Sequence, residues 1–505
     1  MSLFLKKPIS TLMAESAESG KSLKRTLTAG SLIALGIGAI IGAGLFVQTA
    51  NAAAHNAGPS VTYGFIIAAF GCALAGLCYA ELSSSIPIAG SAYTYTYATM
   101  GELMAWIIGW DLILEYAVGA ATVGIAWSEY FNNLLTNVLG LKAIPYEWCH
   151  SPFQHSLDGT AHGIINLPAL AIVIILTMLL IRGTQESAIV NSIIVITKVA
   201  IVILIIILGW QFIKPENHTP YIPAPTTYVD HEGISHHFGG IMGILGAAGV
   251  VFFAFIGFDA VSTTAQEAIN PKRDMPIGIL GSLAICTVLY ILFAHVLTGM
   301  ATTEDFRTSG KEASVVFAIN KYMLGYGWLG KLVTVAILAG FSSVILVMLL
   351  GQSRVFYSMS RDGLLPKVFS DIHPKYKTPY KASWFILVLV GLFAAFVPGD
   401  IVGEMTSIGT LFAFILVCIA VIVLRKTDPG LKREFKTPWV PYVPILGAVV
   451  CSAMIYGLGW TNWLRLIVWL LVGFVIYFSY SKKNSVLQNK STSIDSIDPP
   501  KSPLI

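Results

Sequence analysis

Four glycines interrupt the first long apolar segment of the chain, in the run GIGAIIGAGLF. They are Gly36, Gly38, Gly42 and Gly44. Each glycine weakens a helix by roughly 1 kcal/mol relative to alanine, so the run predicts a helix that unwinds near its middle. Unwinding frees N–H groups around Ala43 and Gly44, which suit a carboxylate. It also frees carbonyl groups near Ile40 and Ile41, which suit an ammonium group.

The sixth apolar segment, GVVFFAFIGFDAVSTTAQE, is interrupted in the same way by Gly257 and Asp259. A carboxylate inside a membrane span is costly and is a functional candidate by default. If the chain consists of two related halves, the first and sixth segments each open one half. Paired discontinuous helices in inverted repeats form the substrate site of many transporters. The matching breaks therefore predict a substrate site between these two helices.

Two ionisable residues deep in other spans suggest proton chemistry. Lys198 lies well inside the segment NSIIVITKVAIVILIIILG. A lysine held away from water can release its proton, which makes Lys198 a candidate proton-coupling residue. Glu115 is the deepest of the acidic residues in the third segment. It is a candidate partner for Lys198 or a member of a proton relay.

Each of these features also has a purely structural interpretation. Gly38 and Gly42 form a GxxxG pair, which is typical of closely packed helices. The aromatic residues around the second break agree with ordinary packing. Lys198 could form a structural ion pair or extend to the membrane surface, and Glu115 could hydrogen-bond to a neighbouring helix. The sequence alone leaves these alternatives open.

The composition requires a membrane to position these residues. Of the 505 residues, 55% are apolar and only 11% are charged, against roughly 25% charged in a soluble domain. No basic, aromatic-rich tract indicates nucleic-acid binding. The six cysteines show no metal-binding spacing, and we expect no metal and no cofactor. Segments long enough to cross a bilayer recur at 28–52, 61–86, 102–136, 166–182, 187–212, 239–267, 277–300, 329–359, 383–399, 401–424, 442–460 and 462–481.

The distribution of Lys and Arg predicts the orientation. Basic clusters lie in the N-terminal segment and after the eighth and tenth spans. Because cytoplasmic loops carry an excess of Lys and Arg, both termini are expected in the cytoplasm. We expect a cytoplasmic tail at 1–27, a twelve-helix transporter domain at 28–481 and a disordered cytoplasmic tail at 482–505. The polar run 86–102 is expected at the cytoplasmic membrane interface, anchored by its tyrosines.

Four long motifs occur along the chain: GIGAIIGAGLFV, SIPIAGSAYTYTYATMGELMAWIIGWDLILEY, FFAFIGFDAVSTTAQEAINPKRDMPIGI and GQSRVFYSMSRDGLLPK. In sequence and order they resemble the cationic amino acid transporter family of the amino acid–polyamine–organocation (APC) superfamily. The likeness covers nearly the whole chain. It implies an all-α membrane protein with twelve transmembrane helices, arranged as a five-plus-five inverted repeat with two additional helices.

The resemblance also implies the contacts of a bound amino acid between the first and sixth helices. By position, the carboxylate would meet the backbone of Ala43 and Gly44. The ammonium group would meet the carbonyl groups of Ile40, Phe253, Ala254 and Ile256. Lys198 matches the lysine that, in proton-coupled members, occupies the place that sodium takes in sodium-coupled relatives.

Two positions bear on the substrate. Similar bacterial sequences often carry Thr where this chain has Ala43, so one hydroxyl contact to the carboxylate is missing. Met348 falls where the family lines the side-chain pocket. Because it is large and apolar, it would shorten the pocket and leave no partner for a long cationic side chain. The sequence therefore favours small or apolar amino acids.

The expected function is import of amino acids across the cell (inner) membrane by proton symport with alternating access, carried out by a monomer. The main alternative is an exchanger that swaps amino acids or amines without net proton movement. A membrane-embedded enzyme is disfavoured because the sequence contains no HExxH, no GxSxG and no clustered catalytic His. A channel is disfavoured because no charged ring or filter-like repeat occurs.

Overall fold

The structure is a computed structural model that describes residues 3–9, 11, 27–86, 91–156, 159–182, 188–229, 235–265, 268–308, 314–376 and 378–489. This part of the chain is mostly helical. Its α-helices are α1 (Ala29–Ile40), α2 (Thr49–Ala52), α3 (Val61–Ser85), α4 (Ser91–Thr99), α5 (Glu102–Ile113), α6 (Gly119–Asn133), α7 (Leu167–Ile181), α8 (Ala188–Gly209), α9 (Gly240–Val251), α10 (Pro271–Met300), α11 (Thr303–Thr308), α12 (Ser314–Tyr322), α13 (Gly327–Arg361), α14 (Tyr380–Phe396), α15 (Gly399–Thr427), α16 (Tyr442–Gly457), α17 (Trp460–Ile476) and α18 (Lys482–Asn484).

Eight helical runs in the described residues are long and apolar enough to cross a membrane. They are Gly44–Ser85, Glu102–Val138, Ile193–Phe212, Gly240–Ser262, Pro271–Met300, Gly327–Arg361, Gly399–Thr427 and Trp460–Asn484. The helices α1, α7, α14 and α16 are apolar but shorter. Every predicted span overlaps one of these helices, which agrees with an all-α membrane protein. The sequence analysis did not anticipate two short antiparallel strands, β1 (Thr226–Val229) and β2 (Ser235–Phe238), in a predicted outer loop.

Both predicted helix interruptions are present. Helix α1 ends at Ile40, and Ile41 takes an extended backbone conformation with ψ of 100°. The chain becomes helical again in a π-helical turn, Gly44–Gln48. In the sixth segment, α9 continues into a 3-10 turn, Phe252–Phe255, and then the extended residue Ile256 ends it. A further 3-10 turn, Asp259–Thr264, follows the break.

The two ends of the described chain meet on one face of the helix bundle. Near the N-terminus, Lys7 forms an ion pair with Asp362 at 2.8 Å. Near the C-terminus, the N–H of Val486 donates to the carbonyl oxygen of Asp362 at 3.0 Å. Gln488 donates to the Glu102 carboxylate at 2.7 Å. Residues 482–489 of the predicted tail are therefore packed onto the bundle, whereas residues 490–505 lie outside the described part.

The tyrosines of the 86–102 segment do not anchor it at a membrane interface, and that expectation is wrong. Tyr93, Tyr95 and Tyr97 are at most 1% exposed. The Tyr93 hydroxyl donates to Asp362 at 2.7 Å, and the Tyr97 hydroxyl donates to a carboxylate of α5 at 3.0 Å. These internal carboxylates satisfy the hydroxyl groups of Tyr93 and Tyr97, so those two rings can be buried in protein.

Candidate functional site

The two helix breaks lie directly against each other. A Cβ atom at Gly44 would overlap the backbone N and Cα atoms of Ala254. At the other break, Gly257 has φ of +114°, and a Cβ there would lie 2.9 Å from the carbonyl oxygen of Ala39. Only glycine has no side chain to prevent this approach. The glycines that the sequence analysis singled out thus bring two segments about 200 residues apart into one place.

Backbone groups of opposite polarity meet at this junction. The helix resumes after Gly42, so the N–H groups of Ala43 and Gly44 stand at a helix start, where intrahelical acceptors are lacking. The positive end of the helix favours an anion there. The carbonyl groups of Ile40 and Ala254 lie at the ends of the two preceding helical segments. The arrangement suits a ligand with a carboxylate next to an ammonium group.

Tyr290 of α10 connects the two breaks, and the sequence analysis missed it. Its hydroxyl oxygen lies 2.9 Å from the carbonyl oxygen of Ile40 and 3.0 Å from that of Ala254. The side chain is fully buried. A tyrosine hydroxyl in an apolar span must find a partner, and that is the only signal in the sequence that could have identified it.

Three of the four carbonyl groups proposed to bind ammonium already accept a hydrogen bond from the protein. Those of Ile40 and Ala254 accept from Tyr290. That of Phe253 accepts from the N–H of Ile256 at 3.3 Å. A carbonyl oxygen has two lone pairs, so each of these can still accept a second donor. The ammonium site therefore stays a prediction that this geometry permits.

Lys198 of α8 is bound to the first break. Its Nζ donates to the carbonyl oxygens of Gly38 at 2.9 Å and Ile41 at 3.0 Å. The side chain is 3% exposed, which excludes extension to the membrane surface. A Cβ at Gly340 of α13 would lie 2.6 Å from Cε of Lys198, so this glycine makes room for the lysine. The cation thus stands at the carbonyl end of α1, where a positive charge is favourable.

Glu115 pairs with Asp259 and not with Lys198. The carboxyl groups of Glu115 and Asp259 face each other within hydrogen-bonding reach. Tyr116 donates to the second oxygen of Asp259 at 2.7 Å. The structure therefore separates the two candidate proton-coupling residues. Lys198 belongs to the first break, and Glu115 belongs to a carboxyl pair at the second.

Met348 of α13 packs against Gly119 of α6. A Cβ at Gly119 would lie 3.3 Å from its sulfur atom. Val344, one turn earlier in α13, comes within 3.3 Å of a Cβ placed on Gly42 of the first break. Met348 is 6% exposed. The role of Met348 as a side-chain pocket residue stays a prediction.

Comparison with known proteins gives a consistent result. Residues 27–491 match the model of a family described as "Amino acid permease". The chain is 45% identical over 487 residues to "Branched-chain amino acid permease BcaP" of Bacillus subtilis (strain 168), covering 96% of this chain and 99% of that protein. It is 42% identical over 486 residues to the "Methylthioribose transporter" of the same organism, with the same coverage.

A plant relative carries the name of the family that the motifs suggested. "Cationic amino acid transporter 9, chloroplastic" of Arabidopsis thaliana is 36% identical over 449 residues, which is 88% of this chain and 75% of that protein. These relatives are transporters and permeases, not enzymes. The chain is therefore a multi-pass membrane protein of the amino acid permease family in the APC superfamily, related to the cationic amino acid transporters.

Proposed function

We propose that this protein imports apolar amino acids across the cell membrane by proton symport, through alternating access of the site at the two helix breaks. The observation that carries the proposal is the contact between Gly44 and Ala254. It brings N–H groups at a helix start next to helix-end carbonyls that can each accept a second donor. A zwitterionic amino acid needs both kinds of group within a few ångströms.

The architecture supports an inverted repeat of five plus five helices within twelve transmembrane helices. The broken helices would be the first and sixth members. The third and eighth members would be the two long runs, Glu102–Val138 and Gly327–Arg361. Short helices precede each: α4 before the first of these runs, and α11 and α12 before the second. Matching features at matching positions are what internal repeats produce.

The proposed domain boundaries and orientation follow from the same scheme. Residues 28–481 would form the transporter, with both termini in the cytoplasm. Support comes from the contact of both terminal segments with Asp362, because chain ends on one face require an even number of crossings. The excess of Lys and Arg in the loops of that face indicates the cytoplasmic side. We expect the monomer to be sufficient for transport.

An apolar, branched-chain substrate fits the side-chain wall. Met348 is buried and offers only a thioether and methylenes. The relative in Bacillus subtilis named as a branched-chain amino acid permease covers nearly the whole chain. The relative named as a methylthioribose transporter covers it equally well, so that compound belongs among the test ligands.

Proton coupling is assigned to Lys198, with Glu115 as a second proton-binding residue. Lys198 joins α8 to the unwound carbonyls of the first helix. A charged lysine forms stronger, charge-assisted hydrogen bonds to both carbonyls than a neutral amine does. Its protonation would therefore stabilise the position of α1 relative to α8. A change in protonation can thus be linked to the rocking movement that alternating access requires.

Uptake by purified protein in proteoliposomes tests this proposal. We expect labelled leucine to accumulate when the outside is acidic, and excess unlabelled valine or isoleucine to compete. Arginine should compete weakly. Lys198→Ala should retain counterflow of leucine, which needs no net proton movement, and lose accumulation driven by the gradient. Uptake that requires preloaded amino acid and ignores the gradient would instead identify an exchanger. Competition by methylthioribose alone would refute the substrate class.

A further inference from the structure

We propose that Glu115 and Asp259 share one proton in a closed, hydrated chamber between the amino acid site and the face that carries both termini. In this proposal the pair passes the symported proton to the cytoplasm. The inference rests on the proposed proton symport. It adds Asp259 and the chamber to the proposed symport, and it assigns proton release to the carboxyl pair instead of Lys198.

The chamber is built around three buried carboxyl groups. Asp111, Glu115 and Asp259 are all 0% exposed. The Glu115 and Asp259 carboxyls face each other, and Asp111 precedes Glu115 by four residues in the same helical run, close to one helical turn away. Within the described part of the chain, none of the three forms an ion pair with Lys, Arg or His. A negative charge on any of these carboxyl groups would therefore have no cationic partner among the described residues.

The side chains around these carboxyls leave many polar atoms without partners. Apart from the facing carboxyls themselves, no described residue is a hydrogen-bond partner of either oxygen of Glu115 or of one oxygen of Asp259, and the hydroxyl of Tyr79 also lacks a partner. Both amide atoms of Gln352 are also unpaired, and this residue is fully buried. Native proteins pair nearly all buried polar atoms with protein or ordered water. A group of unpaired atoms in one place therefore points to bound water or a bound ion.

Gln352 faces the carboxyl pair by helix register. Met348 of α13 lies opposite Gly119 of α6. Three residues later in α13, a Cβ at Gly351 would lie 3.5 Å from the ring of Tyr116, which precedes Gly119 by three residues. The two helical runs are therefore antiparallel here, and Gln352, one turn after Met348, stands opposite Glu115. The unpaired amide thus lies on the same chamber as the carboxyls.

The ionisable groups that interact with the pair are acids. They are Tyr79 and Cys72 of α3, Tyr95 of α4, Asp111 of α5 and Tyr116 of the following turn. Two carboxylates in contact in a low-dielectric site cannot both be ionised without a cation. No group of three or more His, Cys, Asp or Glu among the described residues is arranged for a metal ion. The ligand with the matching chemistry is a proton.

The chamber lies where release to the cytoplasm is possible. From Glu115 the helical run leads past Asp111 to Glu102, which contacts both terminal segments. Tyr95 of α4, which is fully buried, lies near Asp259 on the side of α4. When the inner half of the sixth helix moves, water from the cytoplasm can solvate both carboxylates. The shared proton then leaves to water, and both carboxylates are ionised only while they are hydrated.

Infrared spectroscopy and transport together test the proposal. A protonated carboxylic acid shows a carbonyl stretch that an ionised carboxylate lacks. At neutral pH the wild-type protein should show one such band from the shared proton, which Glu115→Gln and Asp259→Asn should each remove. A separate band from the fully buried Asp111, which has no hydrogen-bond partner among the described residues, should remain in both variants. The control is Glu404→Gln, which removes a carboxylate that Arg465 already pairs at 2.9 Å and should leave both bands unchanged. Leucine counterflow should persist in both chamber variants at more than half the wild-type rate. Accumulation driven by the proton gradient should fall at least tenfold.

The outcomes separate this inference from the proposed function. Absence of the band in wild-type protein overturns the shared proton, whatever transport shows. If neither chamber variant removes a band, the assignment to the pair is overturned. If the band behaves as expected but the variants still accumulate leucine, the release step is refuted. If wild-type protein transports leucine without any response to the gradient, proton symport fails and the release step fails with it. The band then reports only a structural proton.

Discussion

Replacing Gly44 by alanine should separate the two broken helices. The added Cβ would overlap the backbone of Ala254, and no side-chain rotation can relieve a clash with backbone atoms. Overpacking of this kind costs about 1–3 kcal/mol. Because each 1.4 kcal/mol is a factor of ten, affinity for the amino acid should fall about 5- to 150-fold. The same strain should lower the melting temperature of the unliganded protein.

Gly30→Ala is the matched control for this change. Gly30 lies in α1 of the same broken helix, and a Cβ there meets only the hydroxyl oxygen of Thr28 at 3.9 Å. Alanine favours a helix over glycine, so this variant should be as stable as wild type or slightly more so. Both variants can be compared by thermal unfolding with and without leucine, and by leucine counterflow. If Gly44→Ala and Gly30→Ala both have the melting temperature and leucine affinity of wild type, the predicted clash between Gly44→Ala and Ala254 is refuted.

Four further changes have definite expected outcomes. Tyr290→Phe removes the hydroxyl shared by two buried carbonyls and should destabilise the unliganded protein by about 1–3 kcal/mol, seen as a lower melting temperature; an unchanged value would contradict its bridging role. Glu81→Gln removes the charge of a fully buried carboxylate that Arg425 binds at 2.7 Å, and should lower the free energy of unfolding by about 3–5 kcal/mol. Glu434→Gln, at an exposed pair with Lys272, should change the melting temperature little. Burial alone would raise the pKa of Asp305 in α11, but hydrogen bonds from Lys321, Tyr322 and Thr302 hold it well below its ordinary value. The ionised form of Asp305 therefore contributes stability above about pH 4, and this contribution is lost as the pH falls through the lowered pKa. The difference in melting temperature between wild type and Asp305→Asn should be constant near neutrality and shrink only in strong acid. A difference that already shrinks near pH 6 would contradict this.

Local features of the sequence predicted the elements and the location of the breaks. Apolar runs and the glycines that interrupt them can be recognised from neighbouring residues alone. The two helix breaks adjoin Gly44 and Gly257, as predicted. The partners of buried polar groups could not be predicted in this way. Tyr290 lies 250 residues from Ile40, and Gln488 lies 386 residues from Glu102. Such pairs are set by how helices pack, which periodicity does not encode.

The pairing of Glu115 shows the same limit at the candidate site. Its depth in the third span identified it as functional, but depth does not say which helix it faces. The sequence analysis offered Lys198 as a partner because both residues are buried. The structure instead places Asp259 beside it, on the helix that the second glycine break redirects. The break was predicted, but its effect on the direction of the following side chains was not.

Substrate-induced proton movement tests the central claim most directly. Purified protein is reconstituted in liposomes that contain a pH-sensitive dye, and leucine is added outside without an imposed gradient. We expect the lumen to acidify as leucine enters, and this acidification to be lost in Lys198→Ala protein that still catalyses leucine counterflow. Leucine entry without acidification in wild-type protein, or acidification that survives Lys198→Ala, would contradict it.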